Sequence, residues 1–171
     1  MKQEIAQLFY DSDIIQIKTG EFNLDFTRIF SSPHLINPLV KYCAKEIDDY
    51  AIDSLICIDE GLPFLPPIAT ELELPFQWLR EGKISATKEG VKRTIFFSLL
   101  QPGKEDSENI KTILEKNQIE LIAIYSLLGI HNEDGDIRHL SLIKLSELFE
   151  IYHSLYLITN EEFNNLTKIN D

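Results

Sequence analysis

Residues 94–107 read TIFFSLLQPGKEDS, an apolar run that passes through a Pro-Gly turn into a charged segment. The run before the turn is apolar without alternation, which is typical of a strand covered on both faces of its sheet. After the turn, Asp106 or Ser107 can cap a helix, because either side chain can accept a backbone N–H bond. The apolar face of that helix would be formed by Ile110, Ile113 and Leu114. The stretch therefore predicts a buried strand followed by an amphipathic helix.

Similar apolar runs and amphipathic segments alternate along the rest of the chain. With the run at 94–100, the runs that predict strands occupy residues 54–58, 75–79, 121–128 and 139–143. Helical patterns occupy residues 35–49 and 62–72, and Pro66 and Pro67 are expected to delay the start of the second helix. This alternation predicts an α/β fold with an open, mainly parallel sheet flanked by helices. Ligands of such sheets bind beyond the carboxyl ends of the strands.

The length and composition indicate one domain over residues 1–171. Of the 171 residues, 44% are apolar and 26% are charged, which suits one compact core and is too little for two ordinary domains. The formal net charge of −12 leaves no basic stripe for a nucleic acid or an anionic membrane surface. No apolar run is long enough to span a bilayer, and the first residues lack the apolar core of a signal peptide. We therefore expect a cytoplasmic protein without nucleic-acid or membrane partners.

The cysteines and histidines show no spacing that indicates a metal site or a nucleophilic active site. Cys43 lies in a helical pattern and Cys57 in an apolar run, so both are expected to be buried reduced thiols. No metal-ligand motif is formed by the four histidines, His34, His131, His139 and His153. No Gly-x-Ser-x-Gly motif or equivalent is present. We expect no metal ligands and assign no catalytic residue.

Five short motifs follow one another in the order found in a known family of enzymes. They are GEFNL at 20–24, RIFSSP at 28–33, DSLIC at 53–57, PIAT followed by LP at 67–75, and LSELFEI at 145–151. Together they resemble the orotate phosphoribosyltransferases over nearly the whole chain. The resemblance implies a type I phosphoribosyltransferase fold, a homodimer, a nucleotide as small-molecule ligand and a connection to pyrimidine metabolism.

The family binds phosphoribosyl pyrophosphate in a loop after its central strand. Carboxylates in that loop hold the ribose hydroxyls, and small residues expose N–H groups at a helix N-terminus to the 5′-phosphate. In this chain Ser98 and Leu99 stand at the two acidic positions, and Pro102 lacks an N–H group. Glu105 and Asp106 add negative charge where the phosphate would lie. The residues of this loop that could still bind an anion are Gly103, Lys104 and Ser107.

Three further features of the family are altered or missing. The turn that contacts pyrophosphate corresponds to Asp59, Glu60 and Gly61, a vestigial turn whose two carboxylates would repel the ligand unless Mg²⁺ intervened. The flexible basic lid is short here and lacks its histidine. Its remaining cations, Arg80 and Lys83, are either candidate anion-binding residues or ordinary surface cations. The hood that the family inserts before its arginine is missing.

Four losses around one ligand favour a catalytically inactive or impaired relative, a pseudoenzyme with a binding, regulatory or assembly role beside a protein partner. No cofactor is expected on this hypothesis. The alternative is an active phosphoribosyltransferase that converts orotate or another base to a nucleoside monophosphate, with Asp59, Glu60 and Mg²⁺ replacing the acidic pair. A third hypothesis is a nucleotide sensor, which binds a nucleoside monophosphate without turnover. The sequence leaves all three open and identifies neither the ligand nor the partner.

Overall fold

The computed structural model describes residues 1–18, 21–30, 33–85, 90–130 and 135–167. The helices are α1 (Lys2–Asp11), α2 (Thr27–Phe30), α3 (Pro33–Ile47), α4 (Leu65–Glu71), α5 (Lys104–Lys116), α6 (Leu145–Ser154) and α7 (Asn160–Thr167). The strands are β1 (Ile15–Lys18), β2 (Glu21–Leu24), β3 (Ser54–Cys57), β4 (Phe76–Arg80), β5 (Lys83–Ile84), β6 (Arg93–Leu100), β7 (Glu120–Gly129) and β8 (His139–Lys144). A 3-10 turn, Asp59–Gly61, follows β3. No helix among the described residues has the length and apolar character needed to cross a membrane.

The chain divides into two units. The terminal unit comprises Met1–Leu39 and Ile143–Asp171, and the sheet unit comprises Val40–Leu142. The boundaries pass through α3 and β8, so the division does not coincide with loops. The expectation of a single domain over residues 1–171 stays a prediction.

The sheet unit is built on six strands in the order β5-β4-β3-β6-β7-β8. Strand β3 pairs in parallel with β4 and β6, and β6 pairs in parallel with β7. The short strand β5 pairs antiparallel with β4. Every strand predicted from the sequence is present, and its ends differ by at most one residue. The prediction of an open, mainly parallel sheet flanked by helices is confirmed.

Strands β3 and β6 form the buried middle of this sheet because they are apolar on both faces. All four residues of β3 are buried, as are residues 94–99 of β6. One face packs against α5 through a continuous buried cluster, in which Ile110 and Leu114 of the predicted helix face take part. The cluster comprises Ile56, Leu79, Phe96, Ile110, Leu114, Ile119 and Ile124.

Aromatic packing covers the opposite face of β6. The ring centroid of Phe97 lies 6.1 Å from that of Phe64 and 6.2 Å from that of Tyr125. The Tyr125 hydroxyl donates to Glu46 Oε2 at 2.7 Å, which ties β7 to α3. Cys43 and Cys57 are free and buried, as the sequence predicted.

Helix α5 begins earlier than the sequence predicts. It starts at Lys104, and Gly103 precedes it in an extended conformation as the N-cap. Asp106 and Ser107 therefore lie inside the helix, and the prediction that one of them is the cap is wrong. The Ser107 hydroxyl donates instead to the Gly103 carbonyl oxygen at 2.8 Å. Glycine is an acceptable N-cap, and lysine and glutamate are good helix formers, so the helix extends back to the turn.

The segment predicted as one helix over 62–72 is shorter in the structure. The 3-10 turn comes first, and α4 starts at Leu65 with Pro66 and Pro67 in its first turn. The helix thus starts later than residue 62, as the two prolines led us to expect. First-turn residues have no intrahelical partner for their N–H groups, so proline removes no hydrogen bond there.

The terminal unit combines α1, α6 and α7 with the antiparallel hairpin β1–β2. The hairpin was not predicted, because its four-residue strands are too short for alternation to be recognised. The LSELFEI motif forms most of α6. In this helix Glu147 accepts hydrogen bonds from Lys2 Nζ, at 2.7 and 2.8 Å, and from the Lys144 N–H at 3.1 Å.

We expect Gly61→Ala to destabilise the protein more than Gly103→Ala does. A Cβ at position 61 would lie 2.8 Å from Cys57 Cβ and 3.3 Å from a ring carbon of Phe97, whereas a Cβ at position 103 would meet nothing within 4 Å. Overpacking of this kind costs about 1–3 kcal/mol. Urea unfolding of both variants measures the difference, and equal losses would contradict the tight packing of this turn.

We expect Glu147→Gln to lower the free energy of unfolding at neutral pH and to lose this effect in acid. Burial raises the pKa of Glu147, but the bonds from Lys2 and the Lys144 N–H outweigh it, so the pKa is lowered from its ordinary value. A carboxylate with a lowered folded-state pKa contributes stability above its unfolded pKa and loses it as the pH falls through the folded pKa. The cost at neutral pH should be about 0.5–1 kcal/mol, because the ion pair is partly exposed.

Urea unfolding at neutral pH and at about pH 2, where a carboxyl with a lowered pKa is largely protonated, tests this prediction. Glu150→Gln in the same helix is the matched control, because Glu150 is exposed and should contribute little at either pH. A Glu147→Gln effect of the same size in acid would show that the lost packing, and not the carboxylate charge, is responsible.

Candidate functional site

Two loops meet where the sheet reverses its strand order. From β3 the chain continues to β4 on one side, whereas β6 lies on the other side of β3 and continues outward to β7. The loop after β3 contains the 3-10 turn, and the loop after β6, residues 101–103, leads into α5. Because β3 and β6 are parallel, both loops follow carboxyl ends at the same edge of the sheet. This kind of switch point is where open α/β sheets bind ligands.

A cleft of about 460 Å³ opens at this point, and we call it the switch-point cleft. Its walls come from the loop after β3, from β6 with its following loop, and from α5. The lining residues are Ile58, Glu60, Phe96, Ser98, Leu99, Leu100, Gln101, Pro102, Gly103, Asp106, Asn109, Ile110 and Ile113. Small-molecule sites typically have volumes of about 300–1,000 Å³, so the cleft has room for one such ligand.

Most of the lining is apolar. Phe96 and Ile110 belong to the buried cluster beneath α5, and Ile113 packs against that cluster. Ile58 keeps 37% of its surface exposed at the mouth of the cleft. The cleft therefore has an apolar floor that is continuous with the core of the sheet unit.

The charged residues that line the cleft are both acidic. Glu60 comes from the turn after β3, and Asp106 comes from the first turn of α5. Among the described residues, no lysine, arginine or histidine lines the cleft. The potential inside therefore favours a neutral or cationic group over an anion.

Two polar side chains of the lining are engaged with the protein itself. The hydroxyls of Ser98 and Ser126 are 2.8 Å apart, which links β6 to β7 inside the sheet. Gln101 Oε1 accepts the N–H of Ile130 at 2.9 Å. These bonds hold the ends of the two strands together. On α5, the uncharged polar side chain that lines the cleft is that of Asn109.

The five predicted anion-binding residues lie at two places. Arg80 and Lys83 face each other where β4 pairs with β5, and both are exposed. Gly103 and Lys104 lie at the start of α5, and Ser107 is buried with its hydroxyl bonded to the Gly103 carbonyl. Strand β3 separates the two places in the sheet. Of the five residues, Gly103 lines the cleft, and anion binding by the set stays a prediction.

The turn Asp59–Gly61, which the resemblance assigns to pyrophosphate, directs its two carboxylates to different surroundings. Asp59 Oδ2 lies 3.7 Å from Arg80 Nε, an ion pair between two exposed side chains, while Glu60 lines the cleft. Gly61 is buried against Cys57. Burial, with a smaller contribution from the Asp59 carboxylate, raises the pKa of Cys57 to about 12, so its thiol is protonated and unreactive at neutral pH.

The two carboxylates of this turn belong to no cluster of metal ligands in the described part of the chain. Asp59 lies beside Arg80, whereas Glu60 lines the cleft. Protein sites for Mg²⁺ usually combine one or two carboxylates with waters and substrate phosphates. Within the described part of the chain, no group of three or more His, Cys, Asp or Glu side chains is placed to hold a metal ion. We therefore derive no catalytic step through a metal ion here.

Two of the candidate site residues predicted from the sequence, Glu60 and Gly103, line the cleft. Ser98, Leu99, Pro102 and Asp106, which the sequence placed in the altered phosphate loop, line it as well. The contribution of α5 could have been recognised from spacing, because Asp106, Asn109, Ile110 and Ile113 follow the i, i+3, i+4, i+7 pattern of one helix face. Nothing in the local sequence shows that this face meets Ile58. That contact depends on the pairing of β3 with β6.

Comparison of sequences finds no matching family model and no matching curated protein. Comparison of structures finds clear matches. UMP synthase from Leishmania donovani matches with a TM-score of 0.85 and 15% identity, over 99% of this chain and 42% of that chain. Orotate phosphoribosyltransferase from Francisella tularensis matches with a TM-score of 0.77 and 12% identity, over 96% of each chain. Adenine phosphoribosyltransferase from Thermoanaerobacter pseudethanolicus matches with a TM-score of 0.65 and 18% identity, over 81% of this chain and 99% of that chain.

The chain thus spans about two fifths of the UMP synthase and nearly all of the orotate phosphoribosyltransferase. Identities of 12–18% establish the fold and leave the reaction and the base undetermined. The resemblance stated from the sequence motifs is confirmed at the level of the fold. The chain has the type I phosphoribosyltransferase fold.

Proposed function

We propose that this protein is a non-catalytic phosphoribosyltransferase-fold protein that acts by binding, as a regulatory or assembly component connected to pyrimidine metabolism in the cytoplasm. The observation that carries the proposal is the charge of the switch-point cleft. Glu60 and Asp106 line it, and no described cation does. A substrate with a 5′-phosphate and a diphosphate would place several negative charges against these two carboxylates.

The end of β6 supports the same proposal. Ser98 keeps 6% of its surface exposed, and its hydroxyl is engaged with Ser126. Leu99 is apolar and buried. Neither residue can supply the carboxylates that the resemblance requires for the ribose hydroxyls.

The start of α5 also disfavours a bound phosphate. Pro102 has no N–H group to donate. Glu105 and Asp106 already place negative charge in the first turn, where a phosphate would otherwise be stabilised by the helix dipole. An anion at this helix end would therefore meet two carboxylates.

The alternative is an active phosphoribosyltransferase in which Asp59, Glu60 and Mg²⁺ replace the acidic pair. Asp59 would have to leave Arg80 for this to occur, a change that costs little because both side chains are exposed. Glu60 would have to accept the metal ion at the mouth of the cleft. The alternative thus predicts that ligand binding requires Mg²⁺ and depends on Glu60.

Isothermal titration with phosphoribosyl pyrophosphate and Mg²⁺, together with an assay of UMP formation from orotate, tests the proposal. We expect binding weaker than about 1 mM and no UMP above background, because the cleft repels the phosphates. An active orotate phosphoribosyltransferase assayed in parallel is the control. Micromolar binding that is lost in Glu60→Gln, or measurable UMP formation, would overturn the proposal in favour of the alternative.

We further propose that the chain forms a homodimer through an exposed face of β4. Phe76 and Trp78 alternate with buried residues on this strand and expose 38% and 42% of their surfaces, and Arg80 follows on the same face. Aromatic and arginine side chains are the types that dominate interface energies. Glu73 precedes this face and Arg80 ends it. If the β4 strands of two copies pack in antiparallel orientation, Glu73 of each copy would face Arg80 of the other.

Sedimentation velocity of a Phe76→Ser, Trp78→Ser double variant tests the homodimer. We expect a dimer for the unsubstituted chain, and a dimer Kd raised at least about 100-fold in the double variant, because each hot-spot side chain contributes about 2 kcal/mol. Tyr156→Ser is the control, because Tyr156 is an aromatic side chain with 94% of its surface exposed at another site. If the unsubstituted chain is monomeric, or if the double variant still forms the dimer, the proposal that β4 forms the dimer interface is wrong.

A further inference from the structure

We infer that the switch-point cleft is a binding site for a small organic cation with an apolar ring, such as an amidine or a protonated amine on an aromatic body. The inference rests on the proposed function and goes beyond it by naming the chemical class of the ligand. The cleft lies at the switch point of a parallel sheet and has a volume of about 460 Å³. Both its position and its volume are those of a small-molecule site.

The floor of the cleft selects the apolar body of the ligand. Seven apolar residues line it, and they are Ile58, Phe96, Leu99, Leu100, Pro102, Ile110 and Ile113. Phe96 and Ile110 are held in the core, so the floor is preformed. A ring placed on this floor removes apolar surface from water, which contributes about 25 cal/mol for each Å² buried.

The mouth of the cleft selects the charge of the ligand. Glu60 and Asp106 project from two different elements, the turn after β3 and the first turn of α5. Neither carboxylate has an ion pair or a hydrogen-bond donor among the residues that the structure describes. Asp59 beside Glu60 is already paired with Arg80. Two unpaired carboxylates beside an apolar floor are complementary to a planar cation with several N–H donors.

The cations nearest in sequence do not satisfy these carboxylates. Lys104 and Lys111 lie on α5, but neither lines the cleft. Arg80 and Lys83 lie beyond β3 in the sheet. The negative charge at the mouth is therefore left for a ligand to neutralise.

Benzamidine and benzoate are a matched pair of probes for this site, because they share a phenyl ring and carry opposite charges. We expect benzamidine to bind with a Kd of about 1 mM, the affinity reached by about nine non-hydrogen atoms at roughly 0.5 kcal/mol each. Benzoate should bind at least about tenfold more weakly, because its carboxylate meets Glu60 and Asp106. NMR titration of the full chain gives both affinities, and the amide shifts should centre on residues 58–60, 101–103 and 106–113.

A Glu60→Gln, Asp106→Asn double variant should weaken benzamidine at least about tenfold and reduce the preference over benzoate. Both side chains are exposed, so the variant is expected to fold, and its thermal unfolding verifies this. Glu115→Gln at the far end of α5 is the matched control and should leave both affinities unchanged.

Any one of three results would overturn the inference. They are equal binding of the two probes, amide shifts centred elsewhere, and an affinity for benzamidine that the double substitution does not change. The result is separable from that of the titration with phosphoribosyl pyrophosphate. Weak binding of both benzamidine and phosphoribosyl pyrophosphate would contradict the cation site and would remain consistent with the non-catalytic proposal. Tight binding of phosphoribosyl pyrophosphate would overturn the non-catalytic proposal itself.

Discussion

The burial of β6 on both faces is the constraint on which the sheet unit depends. Phe96 enters the cluster under α5, and Phe97 packs between the rings of Phe64 and Tyr125 on the other face. Full burial of one such side chain contributes about 1.5–3 kcal/mol. At its start, β6 is aligned with β3 because Asp53 Oδ2 accepts the N–H groups of Lys92 and Arg93, at 3.1 and 3.0 Å. This register places the end of β6 beside the loop after β3, where the cleft opens.

The same burial explains why the end of β6 carries no charged side chain. A carboxylate at position 98 or 99 would have to be paired or exposed, whereas Ser98 is satisfied by Ser126 and Leu99 packs in the core. The charged residues that line the switch-point cleft are Glu60 and Asp106, which lie on the flanking turn and helix and not on the strand. The packing of the strand and the charge of the cleft thus depend on different residues.

Sequence patterns predicted the strands well and the helix starts poorly. The strands are continuous apolar runs, and their burial is a property of neighbouring residues that the sequence displays directly. Gly103, Asp106 and Ser107 are all acceptable N-caps for α5. The position of the first residue of the helix therefore depends on small differences in free energy among them. The hairpin β1–β2 was missed because four residues are too few for a pattern to be recognised.

The sequence by itself determined the fold class, the order of the strands along the chain, the two buried thiols and the uncharged residues Ser98 and Leu99 at the end of the central strand. Only the tertiary structure decided that Ile58 and Glu60 share a cleft with α5, and that Asp59 and Glu60 point to different surroundings. The reason is physical. Burial and periodicity are local consequences of residue order, whereas the cleft exists because β3 pairs with a strand 40 residues away, as in the contact between Ser54 and Thr94.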